Sequence, residues 1–484
     1  MINLKNILKN AIMIRNYRTS YSSKNKSITR LWLEKAVLRA GNFKPGMGLI
    51  VSAEDNVVHI RAANALERQT HKVHKKRGEP LLDVCNRNVD SVLGIGVKID
   101  VVVKDKEIFV YKEMSFEMLN GVKTNDFWND EPRKFKVISL FAGGGAMTSA
   151  FVNTQACDSV FAVDSDIPEN NPDSFERKGK EPGYMSWTVE TFRNNFSKTL
   201  LYWGDIRSVN PAYVPKADIV LVSPPCVEYS GLGLKMKGII EHFSFHIVRI
   251  ILESGASSIF FENVPTYFKS KTFHKIKKML SPVFPEWHQE TIDSYDLGAV
   301  ETRKRGYAVA FREKSDFEFP ERPSIPISRR KKVKDFLDDV PVDEWSPIKG
   351  TVMETFLTTH KIKYAHTGFT ADNNNILVEP NDSKVSCFVK GYMKRQTVCS
   401  YLKHPKKNLW RLFSPKEVMR MMNYPEWFKF PEGISNTRKY EILGNSVNVR
   451  PIEAIASNIV SSLMALKIKK IKETLNKPRC LFCT

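Results

Sequence analysis

From Phe135 onward one arrangement recurs along the chain: a short apolar run, followed at once by a glycine, an acid or a cysteine. "KVISLFAGGGAMTSAF" places Gly143, Gly144 and Gly145 after the first run, "FAVDSD" ends the second on Asp164, and "LYWGDI" ends the third on Asp205. "DIVLVSPPCVEYSGLG" carries the fourth into Pro224, Pro225 and Cys226, and "SIFFENVPTYF" carries the fifth into Glu262 and Asn263. Short apolar, β-branched runs bounded by turn residues are the pattern of interior strands of a parallel sheet. Neither proline can donate a backbone N–H, so the fourth strand stops before them. Helix-length segments separate the runs, which predicts a doubly wound α/β domain. Such sheets bind their ligands beyond the carboxyl ends of the strands. Glycines there allow a tight turn and close approach of a ligand to the backbone, acids can meet ribose hydroxyls, and a thiol with a carboxyl can perform covalent and acid–base catalysis. Taken singly, a strand-end Asp is more often a helix N-cap and a lone Cys more often a packing residue. Their ordered succession is what points to a site. The glycine turn is not G-x-G-x-x-G and has no P-loop lysine, so phosphate cradling is not indicated.

The 484 residues are too many for one ordinary core, and they carry 74 Lys and Arg against 53 Asp and Glu, a formal charge of +21. An excess of this size favours a polyanionic partner, of which nucleic acid is the commonest. Seven cysteines without regular spacing argue against a disulfide framework and for a reducing, cytoplasmic setting. Cys480 and Cys483 form a single C-x-x-C with no second ligand pair, so no metal site is expected. No uninterrupted apolar run reaches the roughly 18 residues that span a bilayer, so no membrane association is expected.

Six regions are expected. Residues 1–29, basic and without Asp or Glu, read as a disordered arm, with an organelle transit peptide as the alternative. Residues 30–118 hold an internal repeat: "GMGLIVSAEDNVVHI" from Gly46 matches "GVKIDVVVKDKEIFV" from Gly96 at an offset of 50, each copy reading as a β-hairpin. The lead-in "LWLEKAVLRAGNFKPGMGLIV" resembles the AbrB-like swapped-hairpin DNA-binding domains, and "HKVHKKR" between the copies suits a phosphate-contacting loop or a solvated surface. This unit is expected to bind DNA or to serve dimerisation or packing. Residues 133–314 would form the α/β core, 315–408 a linker with a short recognition region, 409–466 a return to the core, and 467–484 a tail.

Together the strand-end stretches resemble the C5-cytosine-specific DNA methyltransferase family. "FKVISLFAGGGAMTSAF", "FAVDSD" and "GDI" look like the family's first three motifs, "SPPCVEYSGLG" its Pro-Cys motif and "FENVP" its Glu-Asn-Val motif. "GAVETRKRGYAVAF" looks like its Gln-x-Arg-x-Arg motif, "RLFSPKEVMRMMNYPEWF" its ninth motif and "YEILGNSVNVRPIEAIA" its Gly-Asn-Ser-Val motif. The resemblance spans about residues 135–465 and implies an α/β, Rossmann-like methyltransferase domain dependent on S-adenosylmethionine, with a small target-recognition region and an N-terminal mostly-β repeat domain. It implies that the Cys226 thiolate adds to C6 of cytosine, that Glu262, shielded from water and protonated, donates to N3, and that Arg303 bonds the base at O2. Asn263 would position the loop or Glu262; Pro225 and Arg305 would lie on the substrate side, and Lys235 and Lys237 on a glycine-hinged lid would reach phosphates. Phe141, Gly143 and Gly145 would surround the methionine end of the cofactor, Asp164 the ribose, Asp205 the adenine amine, with Asn445 and Val447 closing the pocket. The partner implied is double-stranded DNA with a flipped cytosine, within a possible restriction–modification pair. Two positions depart from the family pattern: Glu301 stands for the usual Gln after Val300 for the usual Pro, and Val227 for the usual Gln after Pro-Cys. A tRNA cytosine-C5 methyltransferase and a non-catalytic DNA-binding regulator are the alternatives.

Overall fold

The computed structural model describes residues 4–21, 28–76, 78–113, 134–165, 187–225, 239–363 and 376–475. They fall into two compact units: one comprises 1–144, 159–225 and 236–256, the other 145–158, 226–235 and 257–484.

In the first unit the strands are β1 (Met13–Arg18), β2 (Ser20–Tyr21), β3 (Thr29–Glu34), β4 (Gly48–Glu54), β5 (Val57–Ala62), β6 (His71–Lys72), β7 (His74–Lys76), β8 (Glu79–Val84), β9 (Lys98–Lys104) and β10 (Glu107–Lys112), then β11 (Phe135–Leu140), β12 (Cys157–Asp164), β13 (Leu200–Trp203) and β14 (Ile219–Val222). Their order in the main sheet is β14-β11-β12-β13-β1-β9-β10-β5-β4-β6. β11 has β14 on one side and β12 on the other, so the order reverses there and opens a crevice at its carboxyl end. The four residues of β13 and the four of β14 are all buried, as continuous apolar runs require of interior parallel strands.

The expected disordered arm is corrected at its centre. β1 pairs parallel with β13 (Arg15↔Trp203) and antiparallel with β9 (Asn16↔Asp100). The apolar run "AIMI" supplies the reason, since Met13 and Ile14 are fully buried between these neighbours. The repeat is likewise joined to the α/β sheet through β9 and β1. Both hairpins form, β4–β5 and β9–β10, and the first closes on Asp55 and Asn56, both left-handed, the two-residue turn whose twist suits a hairpin. The repeat extends further back than the hairpins: β3 and β8 stand fifty residues apart, each followed by a short helix (Lys35–Ala40, Arg87–Leu93). β3 and β8 pair antiparallel with Leu31↔Val84 and Glu34↔Leu81, a register that maps onto itself when the copies are exchanged. The two copies are thus related by a local two-fold.

In the second unit β15 (Ser258–Asn263) pairs antiparallel with β17 (Lys304–Phe311), which also pairs with β16 (Glu286–Asp293). A single core joins Val300, Val333, Phe388, Tyr392, Phe413, Tyr440 and Leu443, so the expected recognition region and the C-terminal segment share one interior. The helix Val449–Leu475 is by length and composition able to cross a membrane, although no uninterrupted apolar run was expected to do so. Val449, Ile452, Ile455 and Ile459 on it are buried, and it packs on the helix Ala146–Asn153.

Candidate active site

In the first unit the turn after β11 is held open by backbone conformation. Phe141 and Gly143 have φ of +58° and +55°, and a Cβ placed on Gly143 would meet nothing within 4 Å. The left-handed conformation favours glycine at 143, and a side chain there would meet open space, as a ligand cradle needs. The Asp164 carboxylate accepts from the Gly143 N–H at 2.7 Å, while its carbonyl accepts from Gly204 N at 3.0 Å. One residue thus ties the glycine turn to the end of β13. Asp205 caps the short helix Ile206–Ser208, and both its oxygens meet the Arg207 guanidinium, at 3.0 Å and 2.9 Å from Nε. Hydrogen bonding to Asp205 raises the Arg207 pKa. The Arg207 guanidinium lies 5.7 Å from the Phe243 ring, which in turn lies 5.7 Å from the Phe141 ring. Gly143 and Asp164 are thus bonded directly, and Asp205 is connected to Phe141 through Arg207 and Phe243; Phe243 and Arg207 were missed because neither belongs to a strand end.

In the second unit Glu262 and Asn263 end β15 and are almost wholly buried. Asn263 Oδ1 accepts from the Val264 N–H at 2.8 Å, which fixes the chain where it leaves the sheet. Arg305 on β17 brings its Nε to 3.4 Å from Glu262 Oε1. Gly306 beside it permits this packing, because a Cβ there would stand 2.4 Å from the Phe268 ring.

Arg303 is placed otherwise than expected. Its Nη1 donates to Phe388 O at 2.9 Å, to Cys387 Sγ at 2.9 Å and to Glu301 Oε1 at 3.3 Å. Its Nη2 donates to Gly444 O at 2.9 Å and also to Ser446 O. These bonds hold Arg303 inside a buried network, tied to the carbonyls of Phe388, Gly444 and Ser446. Arg305 is the arginine that reaches the strand-end carboxyl. The family departure at Glu301 belongs to the same network. Its fully buried carboxylate accepts from Arg303, from Phe388 N at 3.1 Å and from Asn448 Nδ2 at 2.9 Å. An acid here adds charge to a contact that an amide would make neutral. Burial pushes the Cys387 thiol up from its ordinary value, against the pull of Arg303. Asn445 caps the helix Asn436–Gly444, and Val447 is buried behind it. Pro225 follows β14, half-buried; Cys226, Lys235 and Lys237 lie outside the described residues.

Residues 135–461 match the family described as C-5 cytosine-specific DNA methylase. The chain belongs to that family. Among its relatives, the methylase is 26% identical over 350 residues to the Type II methyltransferase M1.ScrFI of Lactococcus lactis subsp. cremoris, covering 70% of this chain and 81% of the relative. It is 28% identical over 352 residues to the Type II methyltransferase M.SsoII of Shigella sonnei, covering 70% and 84%. The solved Dnmt2 methyltransferase of S. pombe shares the fold, with a TM-score of 0.50 at 19% identity, over 69% of this methylase and 99% of that chain. The family match begins at β11, so β1 to β10 lie outside it.

Proposed function

We propose that the protein transfers a methyl group from S-adenosylmethionine to C5 of cytosine in DNA, through a covalent adduct of Cys226 with the base. The observation that carries this reading is Glu262, buried at the carboxyl end of β15 with Arg305 at 3.4 Å, in a chain of this family.

Cytosine C5 is a weak nucleophile until the ring is activated. The Cys226 thiolate forms a bond to C6, and the electron pair of the C5–C6 double bond moves toward N3, where Glu262 delivers a proton. S-adenosylmethionine, when bound, supplies an electrophilic methyl group to the carbon so activated. A base then takes the C5 proton, the C5–C6 double bond reforms as the C6–S bond breaks, and N3 gives its proton back to Glu262, returning Cys226. Arg305 keeps the Glu262 carboxyl aimed from the side and presents its remaining donors to the base, the role expected for Arg303 from the sequence. Phe141, Gly143 and Asp164 fit an adenosine-type cofactor because the turn is open and lined by an aromatic ring and an acid. Gly145, Asp205, Asn445 and Val447 complete the proposed cofactor set, with Asp205 sharing its carboxylate between Arg207 and the adenine amine. The reacting carbon is inaccessible within a duplex, so the cytosine must leave the stack. Lys235 and Lys237 would hold the backbone during that step. A partner restriction endonuclease would fit the Type II names of the relatives.

Bisulfite sequencing of DNA and RNA from a methylation-free bacterial strain expressing the protein tests this reading beside Cys226→Ala. Protected cytosines in one DNA context, abolished by the substitution, are the expected result; loss of the nucleophile should lower the rate by about 10⁴-fold or more. Protection confined to tRNA would move the substrate to RNA, and protection that persists in Cys226→Ala would overturn the covalent route.

A further inference from the structure

β1 meets the proposed cofactor site at the end of β13, just before Asp205. In a doubly wound sheet that ended at β13, Trp203 and Gly204 would lie on an open edge just before Asp205, where a strand end frays. Here β1 continues the parallel pairing to the last residue of β13, Arg15↔Trp203. Arg15 Nη1 donates to Trp203 O at 2.9 Å, and the guanidinium stands 4.0 Å from the Trp203 ring centroid. Trp203 Nε1 in turn donates to Ser165 O at 3.2 Å, next to Asp164. The following residue is glycine for a steric reason: a Cβ on Gly204 would meet Asn16 Cβ at 3.0 Å and the Tyr202 ring at 2.8 Å. β1 is therefore seated against the turn that carries one proposed cofactor acid, and Trp203, which Arg15 holds, is bonded next to the other.

We infer that β1 is a working part of the cofactor site, with Arg15 a positioning residue that fixes Trp203 and Gly204 and so sets Asp205 and Asp164 for the adenosine portion of the ligand. The inference rests on the reading of Asp164 and Asp205 as cofactor-binding residues. It gives the N-terminal segment a task in the methyl-donor half of the reaction, distinct from any contact with nucleic acid. A cation fixed over an aromatic ring and bonded to the carbonyl of the same residue holds both faces of that residue, the plane of its ring and the direction of its backbone.

The test uses the full chain. Binding of S-adenosylhomocysteine is measured by titration calorimetry for the wild type, Arg15→Ala, Arg15→Lys and Asp205→Ala, with steady-state constants for S-adenosylmethionine and DNA and melting temperatures alongside. Arg15→Ala should weaken S-adenosylhomocysteine and raise KM for S-adenosylmethionine by about tenfold, while KM for DNA and kcat at saturating cofactor stay within about twofold. Arg15→Lys, which keeps a cation over Trp203, should recover most of the loss. Unchanged S-adenosylhomocysteine affinity in Arg15→Ala, with affinity lost in Asp205→Ala, overturns the role of β1 and leaves the pocket standing. Unchanged affinity in both overturns the pocket assignment as well. Equal losses in both KM values and kcat mark general destabilisation and overturn the inference. Should Arg15→Ala fail to fold, Arg15→Met, of similar length but without charge or donor, is compared with Arg15→Lys, and equal affinities of the two overturn it.

Discussion

Arg303 and Arg305 stand two residues apart, and alternation along an extended segment would put them on one face. The backbone prevents this for the first of them. Arg303 N donates to Asp293 Oδ1 at 3.0 Å and Ser294 Oγ at 2.9 Å, and Glu301 bridges Val385, so the chain before β17 turns Arg303 inward. The two arginines should therefore fail differently. Arg303→Ala leaves the Glu301 carboxylate buried without its charge partner, and thermal or denaturant unfolding should register a loss of about 3–5 kcal/mol. Arg305→Ala, at a partly exposed side chain, should keep the melting temperature within a few degrees and lower kcat/KM by about 10²–10³-fold, as loss of a charged donor at a reacting group does. Activity lost in proportion to stability in both variants would refute the division. From the sequence the pair was legible as a motif, but which member faces the carboxyl was not, because the deciding bonds come from residues 293, 294 and 385.

At the scale of elements, the joint between β9, β1 and β10 buries an ionisable chain. Tyr213 Oη donates to Asp100 Oδ2 at 2.7 Å, Asn16 Nδ2 donates to Asp100 Oδ1 at 3.1 Å, and the Tyr111 and Tyr213 hydroxyls are 2.8 Å apart. Burial pushes the Asp100 carboxyl up to about 6, against the lowering pull of the two hydrogen bonds. Unfolded, it titrates near the ordinary value of about 4. The folded chain thus binds the extra proton between those values. This contribution favours the fold at low pH, declines as pH rises from about 4 to 6 and stays lost above, by up to about 3 kcal/mol. Asp100→Asn removes the titration while the tyrosine chain can reverse its donors, so the gain in melting temperature over the wild type should be larger at pH 7 than at pH 4.5. An equal difference at both pH values would refute the assignment.

Over the whole chain, β1 to β10 behave as part of the first unit's sheet. Removing residues 1–134 would bare the β13 edge and the Tyr213 hydroxyl, so the truncated chain should pellet on expression under conditions where the full chain remains in solution. A soluble, active fragment would show that the sheet needs no such cover. The same consequence makes deletion of the repeat a poor probe of DNA affinity, since it would also disturb the proposed cofactor site. Substitutions on exposed residues such as His74, Lys75 and Lys76 separate the two effects.

The sequence alone determined the order of the strand ends and the residue type that each one presents. Apolar run, turn residue and reactive side chain are neighbours in the chain, and short-range patterning is enough to place Gly143, Asp164, Asp205, Glu262 and Asn263 at carboxyl ends. It also disclosed the hairpin repeat, since copies fifty residues apart keep the same alternation. Only the tertiary structure decided that Met13–Arg18, within the basic N-terminal segment, is a strand. Its apolar run is too short to declare itself, and it gains its fold from β13 nearly two hundred residues away, through a register that no local pattern encodes. The same holds for the buried bonds of Glu301 and Arg303: their charge was plain in the chain, but the partners that turn that charge into structure are brought together by the packing of distant segments.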